Sequence, residues 1–185
     1  MVLEDNMKEE LKSWATSIAV GIVIACLCKA FLFAPMTVFG ESMSPTFEDQ
    51  DRLMISKITS IERLDVIVFE APNMLEERYI KRVIGLPGDR IEMKNDQLLV
   101  NDEIIEEPYI WGNGDDKFLG KITEDFTLEE MFGVSEVPNG MYFVLGDNRR
   151  RSLDSRNFGF ISEEIVIGEV KLRFYPFSSF GFPSE

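Results

Sequence analysis

The sequence predicts a mainly β domain behind an N-terminal transmembrane helix. Three observations carry this. A nearly unbroken apolar run fills residues 13–35. After Pro35 the apolar residues come instead in short runs rich in Val, Ile and aromatics, bounded by turn residues. A single helix signal interrupts them. At 185 residues, 45% hydrophobic and 28% charged, the chain has room for one packed domain and an anchor or small subdomain.

In chain order, residues 1–12 ("MVLEDNMKEELK") form a polar lead, whose Lys8 and Lys12 favour a cytoplasmic N-terminus. "SWATSIAVGIVIACLCKAFLFAP", residues 13–35, is about long enough to span a bilayer. Lys29 is its only charge and lies near one end, where its stem can carry the ammonium to the headgroups; Trp14 suits the other interface. A buried core helix is the soluble alternative. The acidic lead, the length of the apolar run and the missing A-x-A-like exit site argue against a cleaved signal peptide. Cys26 and Cys28, two apart on a helix, point apart and are expected to pack without pairing.

"RLMISKI", "DVIVFEA", "RYIKRVIGL", "GMYFVLGDN" and "EIVIGEVKLRFYPF" read as strands, and "RIEMKNDQLLVNDEII" as a hairpin turning at Asn95-Asp96. "FTLEEMFG" carries a capping box, Thr127 and Glu130, and a stop at Gly133. Residues 89–136 hold fourteen acids and four bases, ten of the fourteen net negative charges, and read as a solvated insert pointing away from an anionic surface. No EF-hand spacing occurs there, and neither metal nor cofactor is expected. The aromatics Phe174, Tyr175, Phe177, Phe180 and Phe182 are expected to pack the core and terminus.

A net charge of −14 argues against nucleic acid as a partner. The chain contains no histidine, which removes Ser-His-Asp triads and histidine acid–base chemistry. If Ser42 in "FGESMSPTF" is a nucleophile and not a capping group, a carboxylate or a lysine must take its proton. A lysine serves only when desolvation drives its pKa from about 10.4 toward neutrality. Lys81 in "ERYIKRVIGLPGD" has Tyr79 and Val83 as same-face strand neighbours, but strand pattern alone favours a lysine on the solvent face of an edge strand. In "GDNRRRSLDSRNFGF", Asp154 and Arg156 are placed to pair locally, Ser152 to exchange a hydrogen bond, and Arg149, Arg150 and Arg151 to form a solvated run.

In this order, "GESMSPTF", "RLDVIVFEAP", "YIKRVIGLPGD" and "GDNRRRSLDSRNFGF" give the chain a resemblance to bacterial type I signal peptidases, in their short single-span form common in Gram-positive bacteria. The resemblance implies a coiled antiparallel β core built from residues 36–88 and 137–185, with 89–136 as a smaller non-catalytic insert. It implies an endopeptidase that removes signal peptides from exported preproteins after small residues in A-x-A-like sites. Ser42 matches the nucleophile, Lys81 the general base and Ser152 the serine that orients that lysine; Asp154 and Arg156 match a supporting pair. The family's serine hydroxyl two positions before the nucleophile is here Gly40, and Arg150 and Arg151 replace residues that are often small or polar. Val38, Met43 and Ile80 are the pocket candidates, and Phe31, Phe33 and Phe39 either dip into lipid or pack within the domain. The implied location is the bacterial cell membrane near the secretion translocon, with the bilayer and preprotein signal peptides as partners and the catalytic domain extracellular. A catalytically silent membrane-tethered β-domain and a self-cleaving repressor are the rival readings; the second lacks its DNA-binding domain here.

Overall fold

The computed structural model of the chain describes residues 2–74, 76–110 and 120–183, and within the first helix the side chains of residues 10 and 12–26. Two compact units are present, Met1–Ala34 and Pro35–Glu185.

In the first unit one helix, α1, runs Val2–Phe31. Trp14, Ile18, Val20, Ile22, Val23 and Ile24 are all exposed on it. The helix and strand bounds do not coincide with the expected segments 1–12 and 13–35. The helix begins at Val2, so the lead is helical too. It also ends before Phe33–Thr37, which is strand β1: Pro35 has no N–H to offer a helix and pushes the residue before it toward extended backbone. Among the described residues no helix is long and apolar enough to cross a membrane. Cys26 is an exposed free thiol; the side chains of Lys8, Cys28, Lys29 and Phe31 lie outside the described residues.

The second unit is built on β2 (Arg52–Ser56), β3 (Val66–Glu70), β4 (Arg78–Gly85), β5 (Ile91–Lys94), β6 (Gln97–Val100), β7 (Glu103–Ile105), β8 (Phe126–Thr127), β9 (Met141–Leu145), β10 (Ile161–Ser162) and β11 (Val166–Tyr175), with short helices α2 (Leu128–Phe132) and α3 (Ser155–Phe158). One sheet orders its strands β1-β2-β11-β3-β4-β9-β10, and a second β7-β6-β5-β8. The paired strands from β2 onward are antiparallel. The second sheet comes entirely from the acidic segment. Its hairpin pairs Lys94 with Gln97, and Asn95 and Asp96 take positive φ, as a two-residue loop with the sheet's twist requires. The capping box at Thr127 and Glu130 is formed at the head of α2, closed by Gly133.

Each face of the large sheet has its own core. Ile67, Phe69, Val83, Tyr142, Val144 and Ile161 pack together on one side. Val66, Val68, Leu53, Ile55, Ile80 and Val170 pack with Val38, Met43 and Phe47 on the other. This is the strand alternation of β3 read directly in space. A third cluster joins the two sheets through Ile84, Phe143 and Leu145 against Ile91, Met93, Leu98, Phe126 and Leu128.

The tail departs from expectation. Tyr175, Phe177, Phe180 and Phe182 are exposed, because past β11 the chain makes a 3-10 turn at Phe177–Ser179 and returns to bridge Arg173 with Gly181 at the sheet's end.

Candidate active site

β4 is covered on both faces, so Lys81 is buried although a strand of alternating pattern would leave it wet. Tyr79 and Val83 flank it along the strand, and Ile67 is its cross-strand partner on β3. Only 3% of the residue is exposed. Its Nζ donates to Ser42 Oγ at 2.8 Å and to the Ile80 carbonyl at 2.9 Å, with the Tyr79 ring centre 5.4 Å away. Burial drives its pKa down from 10.5 to about 8, against the opposing pull of Asp154 and Asp147. Desolvation penalises the ammonium more than these carboxylates favour it.

Ser42 sits in the loop between β1 and β2. The Asp51 carbonyl accepts from the Val38 amide at 2.8 Å, and the Phe47 amide donates to Met43 at 3.0 Å. Met43 and Phe47 are driven into the core beneath. The Ser42 carbonyl accepts from the Asn148 amide at 3.1 Å, tying the loop to the segment after β9. Among the described residues the Ser42 amide donates no hydrogen bond. Gly40, at φ +84°, turns its amide onto Asp49 Oδ1 at 2.9 Å, so that N–H is already occupied.

The segment after β9 is held by charge. Asp154 is fully buried; its Oδ2 accepts from the Gly146 amide at 3.1 Å, and Arg156 grips both its oxygens at 2.8 Å. Gly146 is glycine because of a close approach: a Cβ there would lie 2.1 Å from Ser152 Oγ and 2.5 Å from the Ser42 carbonyl oxygen. Ser152 Oγ is buried beside it without a hydrogen-bond partner among the described residues. The expected bond from Ser152 to Lys81 is therefore absent; the amine is engaged by Ser42 and Ile80.

A groove of about 280 Å³ opens beside the dyad. Val38, Gly40, Met43 and Ile80 line it together with Ser42 and Lys81, and so do Met36, Phe39, Tyr79 and Leu153. Arg151 also reaches it, pairing with Glu41 at 2.6 Å.

Sequence reasoning missed a second set of charges. Arg82 and Asp147 form a buried pair, Nε to Oδ1 at 3.0 Å and Nη2 to Oδ2 at 2.7 Å, with Thr46 Oγ1 donating to Oδ2 at 2.5 Å. Arg149, expected in a solvated run with Arg150 and Arg151, is buried against Glu107; only the other two are exposed. No local signal reveals these pairs, since the partners stand 65 and 42 positions apart. Chemically, the arrangement is a hydroxyl beside a dry amine whose pKa burial lowers to about 8, at one side of a groove lined by both apolar and charged side chains.

Comparison with known proteins gives a consistent result. Residues 11–175 match the family described as "Signal peptidase, peptidase S26". The chain is 45% identical over 167 residues to a Bacillus caldolyticus protein named signal peptidase I, covering 88% of this chain and 91% of that one. It is 42% identical over 184 residues to signal peptidase IB of Staphylococcus aureus strain MRSA252, covering 95% of each. Among solved structures, a signal peptidase I from Enterococcus faecalis V583 superposes with a TM-score of 0.56 at 43% identity, covering 60% of this chain and 97% of that one.

Proposed function

The chain belongs to the signal peptidase family, peptidase S26, as a serine endopeptidase of signal peptidase I type, and on that premise we propose that Ser42 is its nucleophile and Lys81 its general base. The observation that carries this is the 2.8 Å contact between Lys81 Nζ and Ser42 Oγ, made by a lysine that is almost wholly buried.

That geometry supports the following reaction. The neutral amine receives the Ser42 proton as Oγ attacks the scissile carbonyl. The Ser42 amide, which has no acceptor among the described residues, is the donor to the developing oxyanion. The Lys81 ammonium then gives its proton to the leaving amine, and an acyl-enzyme forms on Ser42. Water, deprotonated by the same lysine, releases the acyl group. Asp154 and Arg156 support the site by fixing the loop that abuts Ser42. Ser152, buried beside Gly146, orients Lys81 when bound substrate tightens the site. Val38, Met43 and Ile80 limit the groove to small side chains, which favours A-x-A-like cleavage sites, since a larger residue would clash. The segment 89–136 contributes no reacting group.

The same proposal places α1 against lipid as a single-pass anchor, with the N-terminus cytoplasmic and the catalytic unit outside, within reach of preproteins leaving the translocon. Its exposed Trp14, Ile18, Ile22, Val23 and Ile24 support attachment to a bilayer. Extraction of bacterial membranes at alkaline pH is expected to leave the full chain in the pellet; release into the supernatant counts against the anchor.

The direct experiment is cleavage of a peptide containing an Ala-x-Ala site by full-length protein in detergent. Ser42→Ala and Lys81→Ala are each expected to abolish it. Unaltered cleavage by either variant refutes the assignment.

A further inference from the structure

The least expected feature outside the dyad is a run of buried polar groups joining the acidic segment to the loop after β9. Both Glu107 carboxylate oxygens face Arg149: Oε1 meets Nη2, and Oε2 accepts from Nη1 at 3.3 Å. The Tyr109 hydroxyl donates to Glu107 Oε1 at 2.9 Å. The Tyr109 ring lies against Arg82, its centre 3.8 Å from the guanidinium carbon, and Arg82 is the neighbour of Lys81 in β4. Glu107, Tyr109, Arg149 and Arg82 are all buried.

From Arg149 the contacts lead back to the dyad. Its Nε donates to the Gly146 carbonyl at 3.1 Å, and its own carbonyl accepts from Arg156 at 2.6 Å. Arg156 holds Asp154, and Asp154 accepts from the Gly146 amide, so the loop closes on itself around Gly146. Gly146 in turn abuts the Ser42 carbonyl and Ser152. A buried guanidinium deprived of its carboxylate is driven toward water or another partner. Any such movement of Arg149 pulls on Gly146 and hence on the backbone of the nucleophile.

We propose that Glu107 and Tyr109 are positioning residues for peptide cleavage, acting through Arg149 and Arg82 to hold the 146–154 loop against Ser42 and Lys81. The proposal rests on the Ser42–Lys81 reading and gives the acidic segment a part in catalysis without contact with the reacting atoms. Neither residue lines the groove, so the effect falls on kcat and leaves KM nearly unchanged.

The test compares full-length protein in detergent with Glu107→Gln, Tyr109→Phe, the double variant Glu107→Met/Arg149→Met and Ser42→Ala, using one Ala-x-Ala peptide and thermal unfolding in parallel. Glu107→Gln is expected to lower kcat by about tenfold or more with KM within about twofold, because sub-ångström misplacement of reacting groups is costly. Tyr109→Phe is expected to lower kcat by a smaller factor. The apolar double variant removes the buried charges and is expected to recover Tm, yet to stay slow because Gly146 has lost the Arg149 side chain. Wild-type kcat in Glu107→Gln, or kcat recovered with Tm in the double variant, overturns the proposal. If either of those variants does not fold, Tyr109→Phe decides: a fall in kcat at constant KM supports positioning, and unchanged kcat overturns it. Cleavage persisting in Ser42→Ala sinks the underlying site; a silent Ser42→Ala beside a fully active Glu107→Gln sinks only the positioning role.

Discussion

Replacing Lys81 with methionine keeps most of the side-chain volume and removes the amine. The amine titrates at about 8 in the fold against 10.5 when fully hydrated. At about 1.4 kcal/mol per pH unit, that interval corresponds to about 3 kcal/mol of destabilisation at pH 7 from holding an ammonium in a dry site. The sign follows from proton binding. Between the two pKa values the unfolded chain binds more protons than the folded one, so stability rises with pH there. The penalty is complete below pH 8, shrinks as pH rises, and is gone above pH 10.5. Lys81→Met is therefore expected to be inactive yet more stable than the wild type by up to about 3 kcal/mol at pH 7 and about 2 kcal/mol at pH 9, with no difference above pH 10.5. Urea unfolding of the full chain across this range measures it; Ser42, partly open to solvent, turns its hydroxyl to water. A Lys81→Met protein less stable than wild type at pH 7, or a difference independent of pH, refutes the reasoning.

Gly146→Ala forces a methyl to within 2.1 Å of Ser152 Oγ and 2.5 Å of a backbone oxygen. The backbone cannot yield cheaply, so a loss of about 1–3 kcal/mol in stability and a fall of about a hundredfold in kcat are expected, read by unfolding and peptide cleavage. Asp154→Asn breaks the pair with Arg156 and costs about 3 kcal/mol. It also removes a carboxylate that raises the Lys81 pKa, so the rising limb of the pH–rate profile should move below pH 8; a limb moved upward contradicts the charge assignment.

Strands were legible wherever burial follows a local rule. "DVIVFEA" is β-branched and short, and it is β3; Asn95-Asp96 marks a two-residue turn because few other residues accept positive φ twice. Thr127 and Glu130 cap α2 by contacts within one turn. The wetness of Lys81 was not legible, because β4 is enclosed by strands and loops far away in the chain, and alternation reports burial only when one face is open. The same limit hid Arg149: a run of three arginines reads as solvated, and the carboxylate that draws the first inward stands in another segment. The tail aromatics misled in the opposite direction, since composition does not say that the chain turns outward after Tyr175. The Ser42–Lys81 pairing and the Asp154–Arg156 pair were expected from motif order, whereas the Arg82–Asp147 and Arg149–Glu107 pairs became visible only when the strands were paired.

The central claim is that one buried lysine gives up its charge near neutral pH beside Ser42. Carbon-13 labelling of the lysine Cε methylenes, with the Lys81 signal assigned by its loss in Lys81→Met, reads that charge directly. The account predicts a titration midpoint near 8 for this one resonance. A midpoint at the ordinary lysine value of about 10.4 contradicts it.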